Sequence, residues 1–129
     1  MPEIDIAALE ILFAKQQSMI PLVMNAVDQI TDRYSDNLMT IQKTQLKIGS
    51  GGGFCWIWPP FRRVKGTPKL FVYLSFGLRR PLNHPRVTAA ANPSRNRWTI
   101  HTVLENEENL NEELFNWLDE SAATIHLKM

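Results

Sequence analysis

The stretch FCWIWPPFRRVKGTPKLFVYLSF, residues 54–76, sets two apolar runs on either side of a segment carrying Arg62, Arg63 and Lys65. In the second run Leu70, Val72, Leu74 and Phe76 fall on one side and Phe71, Tyr73 and Ser75 on the other. A period of two belongs to a β-strand. The first run, residues 54–58, stops at Pro59 and Pro60, neither of which has an N–H to give to a sheet ladder. Two strands joined by a turn-rich basic loop of this length predict an antiparallel pair.

Alternation continues on both sides of this pair. In TIQKTQLKIG, residues 40–49, Thr44, Leu46 and Ile48 face one way and Lys43, Gln45 and Lys47 the other, which predicts one half-buried strand. The run GSGGG, residues 49–53, then supplies a connection free to enter left-handed backbone conformations. Downstream, RWTIHTVL, residues 97–104, sends Trp98, Ile100, Thr102 and Leu104 to one side and Arg97, Thr99, His101 and Val103 to the other. Residues 79–95 carry Pro81, Pro85 and Pro93 and are expected to be irregular, with a short strand around residues 86–88.

Helical spacing brackets the strands. Asp5 is placed to cap a first helix with Ile6, Leu9, Leu12 and Phe13 recurring on one face. Pro21 fits the first turn of a second helix, so a bend is expected over residues 18–21, with Val23, Val27, Ile30 and Tyr34 as a new stripe. The closing helix has Asn109 and Glu112 as a capping pair, acids in its first turn, and Leu110, Leu114, Trp117, Leu118 and Ile125 along one face. The expected fold is α+β: a two-layer sandwich of N-terminal helices, an antiparallel sheet of four to five strands and a C-terminal helix. One domain spans residues 1–129, and the helices leave one sheet face partly open.

A chain of 129 residues is long enough to bury a single core without staples. Its one cysteine, Cys55, lies in an apolar run and has no internal partner, which suits a reducing compartment. The apolar stretches are broken by charge or proline before the roughly 20 residues that span a bilayer, and the amino terminus has no basic leader. A cytoplasmic protein without membrane attachment is expected.

The net charge of +1 conceals a segregation. No Asp or Glu occurs between residues 37 and 104, and the same segment holds eleven bases: Lys43, Lys47, Arg62, Arg63, Lys65, Lys69, Arg79, Arg80, Arg86, Arg95 and Arg97. Six acids and two bases precede it, and seven acids and one base follow it. The chain is dipolar in sequence.

Lys43-Thr44-Gln45 before an alternating strand, the aromatic strand ending at Pro59, LFVYLSF, RWTIHTV and the terminal NEELFNWLDES occur in an order that resembles an uncharacterised bacterial family of unknown function. That family is similar in architecture to YdhG-like and frataxin-like α/β sandwiches, and the resemblance covers residues 7–123. It implies the two-layer fold and no particular activity. The iron-binding acidic ridge of some frataxin-like proteins has no counterpart in the first strand, which is basic here. Glu105, Glu107, Glu108, Glu112 and Glu113 are more simply a solvated first helical turn.

No metal or cofactor is implied. His84, His101 and His126 lack metal-ligand spacing, and GSGGG lacks the Lys-Ser/Thr that follows a phosphate loop and opens a strand instead of a helix. Cys55 beside Arg62 and Arg63 has the neighbours of an activated thiolate, yet its apolar strand favours the inert thiol. If Trp98 and Leu70 face the helices, then Phe71, Tyr73, His101, Arg97, Lys43, Gln45 and Lys47 share the open face. Arg62, Arg63 and Lys65 stand at its rim, with Arg79 and Arg80 converging from the next turn. Rings offer stacking to bases, and cations offer charge to phosphates.

The pattern favours a non-enzymatic module that engages an anionic partner, nucleic acid or an acidic protein surface, through this face. A homodimeric small-ligand or regulatory domain using the same aromatics is the alternative. An enzyme built on His101 is a third reading, resting on residue types alone.

Overall fold

The computed structural model describes residues 4–62 and 65–126, the last two by backbone alone; Arg63 and the Ile125 side chain lie outside the described residues. Helix α1 (Ile6–Leu12) is capped by Asp5, whose carboxylate accepts from the Ala8 N–H at 3.1 Å. A 3₁₀ run (Ala14–Met19) with non-helical backbone at Gln16 leads into α2 (Ile20–Arg33). The two helical runs meet at 115°, with the break near Phe13 and not at residues 18–21 as Pro21 suggested. Proline in a first turn removes no helical hydrogen bond and forces no break. Phe13 is fully buried, and the chain turns where that ring enters the core.

Strands β1 (Met39–Ile41), β2 (Leu46–Ile48), β3 (Cys55–Trp58), β4 (Val72–Leu78), β5 (Val87–Ser94) and β6 (Arg97–Leu104) form one antiparallel sheet ordered β1-β2-β3-β4-β6-β5. The sheet has six strands where four to five were expected, and both differences have physical causes. Residues 40–49 form a hairpin instead of one strand, closed by the Gln42 N–H bonding the Gln45 carbonyl at 2.7 Å. Lys43 and Thr44 therefore sit on a turn. Residues 79–95 contain the eight-residue β5, whose side chains are mostly exposed and so carry no apolar alternation. Its register shifts beside Val87 and again before Ser94, and Pro93 is tolerated because β5 is an edge strand.

Helix α3 (Glu112–His126) closes the fold, with Asn111 capping it by accepting the Leu114 N–H at 3.1 Å. Asn109, expected to cap α3, instead pairs with Asn106 in a reciprocal box around the 3₁₀ turn Glu107–Asn109.

Burial of one sheet face sets the register. Leu46, Ile48, Cys55, Ile57, Val72, Leu74, Phe76, Leu78, Ile100 and Leu104 join Leu9, Phe13, Val23, Ile30, Leu114 and Leu118 in one core. Arg33 at the end of α2 forms a two-pronged pair with Asp119 of α3 at 2.7 and 2.8 Å, and the Tyr34 hydroxyl donates to the same carboxylate at 2.7 Å. The Arg33 guanidinium holds the Asp119 carboxyl below its ordinary range. Among the described residues no single helix is long and apolar enough to cross a membrane, and the first two helical runs reach that length together only across their bend.

Ser121 of α3 is fully buried, donates to the Phe54 carbonyl at 2.9 Å and accepts the Gly77 N–H at 3.2 Å. The Gly77 N–H keeps a second acceptor in the Phe54 carbonyl at 3.3 Å. Ser121→Ala therefore removes two hydrogen bonds and leaves the Phe54 carbonyl and the Gly77 N–H only their 3.3 Å contact with each other, and a loss of about 1 kcal/mol in denaturant unfolding is expected. An unchanged midpoint would show that the two Ser121 hydrogen bonds contribute no net stability.

Candidate functional site

The side chains that alternate away from the core form the open face. Thr40, Lys47, Trp56, Ser75, His101 and Ala89 are register partners across all six strands in sheet order. One step along, Trp58 lies opposite Tyr73, and Tyr73 opposite Val103. Trp58 thus stands diagonal to Ser75, within the reach of a large side chain on a pleated surface.

Rings tile the centre of this face. Trp58 stacks on Tyr73 with centroids 4.3 Å apart and planes 25° off parallel. Phe61 lies 6.4 Å from Trp58 at 20°, and His101 meets Trp58 edge-on at 5.5 Å. Phe71 supports Tyr73 edge-on at 5.0 Å from beneath the β3–β4 loop, where it is buried instead of open to solvent as expected. Phe61, carried on the loop just past Pro59 and Pro60, is 63 % exposed. Two compartments share Trp58, Phe61 and His101. One, of about 710 Å³, adds Arg62, Lys65 and Tyr73; the other, of about 560 Å³, adds Gln45, Trp56 and Arg97.

A three-residue relay holds the rings. The Trp58 indole N–H donates to Ser75 Oγ at 2.9 Å, and Ser75 Oγ lies 2.6 Å from His101 Nδ1. An indole nitrogen only donates, so the serine oxygen accepts there and has one proton left to give. Ser75 is 1 % exposed and His101 is the remaining partner, so the hydroxyl donates to Nδ1 and the imidazole proton resides on Nε2. Burial also pushes the His101 pKa down, which keeps this acceptor neutral. A serine beside a histidine is the residue pair of hydroxyl nucleophiles. Here the oxygen is covered and engaged by the Trp58 indole N–H, so the pair tethers the indole.

The expected cations divide into two groups. Arg62 and Lys65 edge the first compartment and Arg97 the second. The Arg97 guanidinium reaches toward the glycine turn, where a Cβ on Gly52 would lie 3.9 Å from Nη2. Lys47 lies on the open face with its ammonium donating to the Gly51 carbonyl. Lys43 belongs to the β1–β2 turn and lines neither compartment. Arg80 turns to the helical layer, paired with Glu120 of α3 at 2.8 Å, and Arg86 does the same with Glu113 at 3.3 Å. Arg79 borders Arg97 and Asn96 at the end of β4, outside both compartments. Tyr73 and His101 lie on the sheet face that alternation gave them, but Tyr73 is buried beneath Trp58 instead of open to solvent.

Trp58, Phe61 and Ser75 were not singled out by sequence. Trp58 alternates with Cys55 and Ile57 along β3, a usable signal, but its pairing with Ser75 needs the β3–β4 register. Cys55 faces the core, is completely buried, and has its thiol pKa pushed up by that burial, so it takes no part in this surface. Among the described residues no group of three His, Cys, Asp or Glu side chains is placed to hold a metal ion. Compared with protein-family models, curated proteins and solved structures, the chain gives no match.

Two outcomes follow from these environments. With its folded pKa below the unfolded value of about 6.5, His101 contributes stability that is complete above that value and declines as pH falls toward the folded pKa. Denaturant midpoints of the wild type should fall more steeply between pH 7.5 and 5 than those of His101→Asn; parallel curves would contradict the lowered His101 pKa. Native protein should leave Cys55 unmodified by a thiol reagent at pH 8, with one equivalent reacting after unfolding; prompt native labelling would place the thiol at the surface.

Proposed function

We propose that the protein is a non-enzymatic binding module whose open sheet face engages single-stranded nucleic acid. The observation carrying this reading is a floor of rings, Trp58, Phe61, Tyr73 and His101, with Arg62 and Lys65 at one end and Arg97 at the other. All six strands lie inside the acid-free segment, so no strand side chain repels a phosphate. Flat rings accept any base, and stacking on one is worth about 1–3 kcal/mol, while each neutralised phosphate adds affinity that salt removes. A second reading, a free nucleotide or similar small aromatic anion, is favoured by the compartment volumes of about 710 and 560 Å³, typical of small-molecule sites.

Fluorescence anisotropy with a labelled oligo(dT) octamer at low salt tests the proposal. Phe61→Ala should weaken binding about tenfold, near the lower end of the stacking range. Arg97→Ala should reduce the slope of log affinity against log salt by about 0.7, one single-strand phosphate. Tight binding of thymidine monophosphate with no gain on lengthening the chain would favour the small-ligand reading. Equal binding of polyglutamate would make the partner an acidic surface, and octamer binding indifferent to both substitutions would remove the sheet face from the reading.

A further inference from the structure

The bend between α1 and the following 3₁₀ run carries Lys15 and Gln16 over to Pro60 and Phe61 of the β3–β4 loop. Lys15 is the only base before Arg33 in the sequence, remote from the central basic segment. In the fold it joins that segment: a cleft of about 280 Å³ on the far side of Phe61 is bordered by Lys15, Arg62 and Lys69, with Phe71 buried at its base. No Asp or Glu lines it, and none of the three cations is ion-paired among the described residues. Three like charges around one concavity repel one another and raise the local concentration of anions. Arg62 and Phe61 border both this cleft and the larger aromatic compartment, so the two adjoin across the Phe61 ring.

We infer that the Lys15, Arg62 and Lys69 cleft is a backbone subsite taking the phosphodiesters of a nucleic-acid strand that leaves the aromatic floor over Phe61. This rests on the sheet-face reading and deepens it. The floor compartments already carry cations of their own, Arg62, Lys65 and Arg97, so a single nucleotide can be served there, and only a longer strand extends past Phe61 to Lys15 and Lys69. The aromatic compartments hold the bases, Phe61 marks the bend, and the helical corner neutralises the phosphates beyond. The cleft should therefore matter only to strands long enough to arrive there.

The experiment is a length series of labelled oligo(dT), from dimer through tetramer and octamer to dodecamer, against wild type, the double variant Lys15→Gln/Lys69→Gln, and Phe61→Ala. Lys15 and Lys69 are exposed, and thermal melts verify that the double variant stays folded. The expected result is tetramer affinity within twofold of wild type, dodecamer affinity about tenfold weaker at low salt, and a dodecamer salt slope shallower by about 1.4, two single-strand phosphates. An unchanged dodecamer, or an equal loss at every length, overturns the subsite. If tetramer binding remains sensitive to Phe61→Ala in that case, the sheet-face reading stands without it. Absence of binding by wild type at every length overturns both.

Discussion

Burial of one sheet face against the helices is the constraint from which the rest of the molecule follows. Strand side chains alternate, so the requirement that Leu46, Ile57, Leu74 and Ile100 enter the core fixes the parity of β2, β3, β4 and β6. A slip of one residue in any of them would drive Lys47, Trp56, Ser75 or His101 into the apolar core and eject an aliphatic side chain. The open face is therefore composed by the core. Its rings lie side by side because each strand has been forced into phase by the apolar residues on its other side.

Charge separation follows from the same topology. The acid-free segment supplies every strand, and the acidic termini supply every helix, so the dipolar sequence becomes a dipolar sandwich. The layers are not sealed from one another. Arg80 and Arg86 cross to Glu120 and Glu113, while Arg33, from the helical layer itself, holds Asp119. The Arg33 and Arg80 pairs are partly exposed and contribute little stability individually, while Arg86 is the more covered of the three. Their effect on the surface is larger: they draw two bases toward the helical layer and leave Lys47, Arg62, Lys65 and Arg97 to determine the potential of the open face.

What the sequence conveys, and what it withholds, divides along the same physical line. Alternation in residues 72–76 and 97–104 is strong because those strands bury one face in the core, and the faces of Tyr73 and His101 were readable from it; Leu70, expected on the core side, lies before β4 and is exposed. β5 was not, because an edge strand exposed on both sides has no apolar period and its Pro93 argues against a ladder. β1 was absorbed into β2 because the turn between them, Gln42 to Gln45, is polar without glycine or proline. At the site, residue types were readable and meetings were not. Nothing local to Trp58, Ser75 or His101 announces a relay across three strands, and nothing in Lys15 announces that a bend at Phe13 delivers it to Arg62. Arg80 was misjudged because its partner, Glu120, is 40 residues away and becomes a neighbour only when α3 docks.

The relay also explains how a partly exposed indole is held still. Trp58 has Tyr73 on its face, and its N–H is tethered to a buried serine whose own proton is committed to a neutral histidine. A surface tryptophan without such a tether would sample several rotamers, and a ligand stacking on it would have to immobilise it first. Phe61 has no comparable restraint: it projects from a loop with 63 % of its surface in water. The fixed ring and the free ring border the same compartments. That pairing suits a surface in which one aromatic defines the plane of contact and the other closes over whatever lies on it.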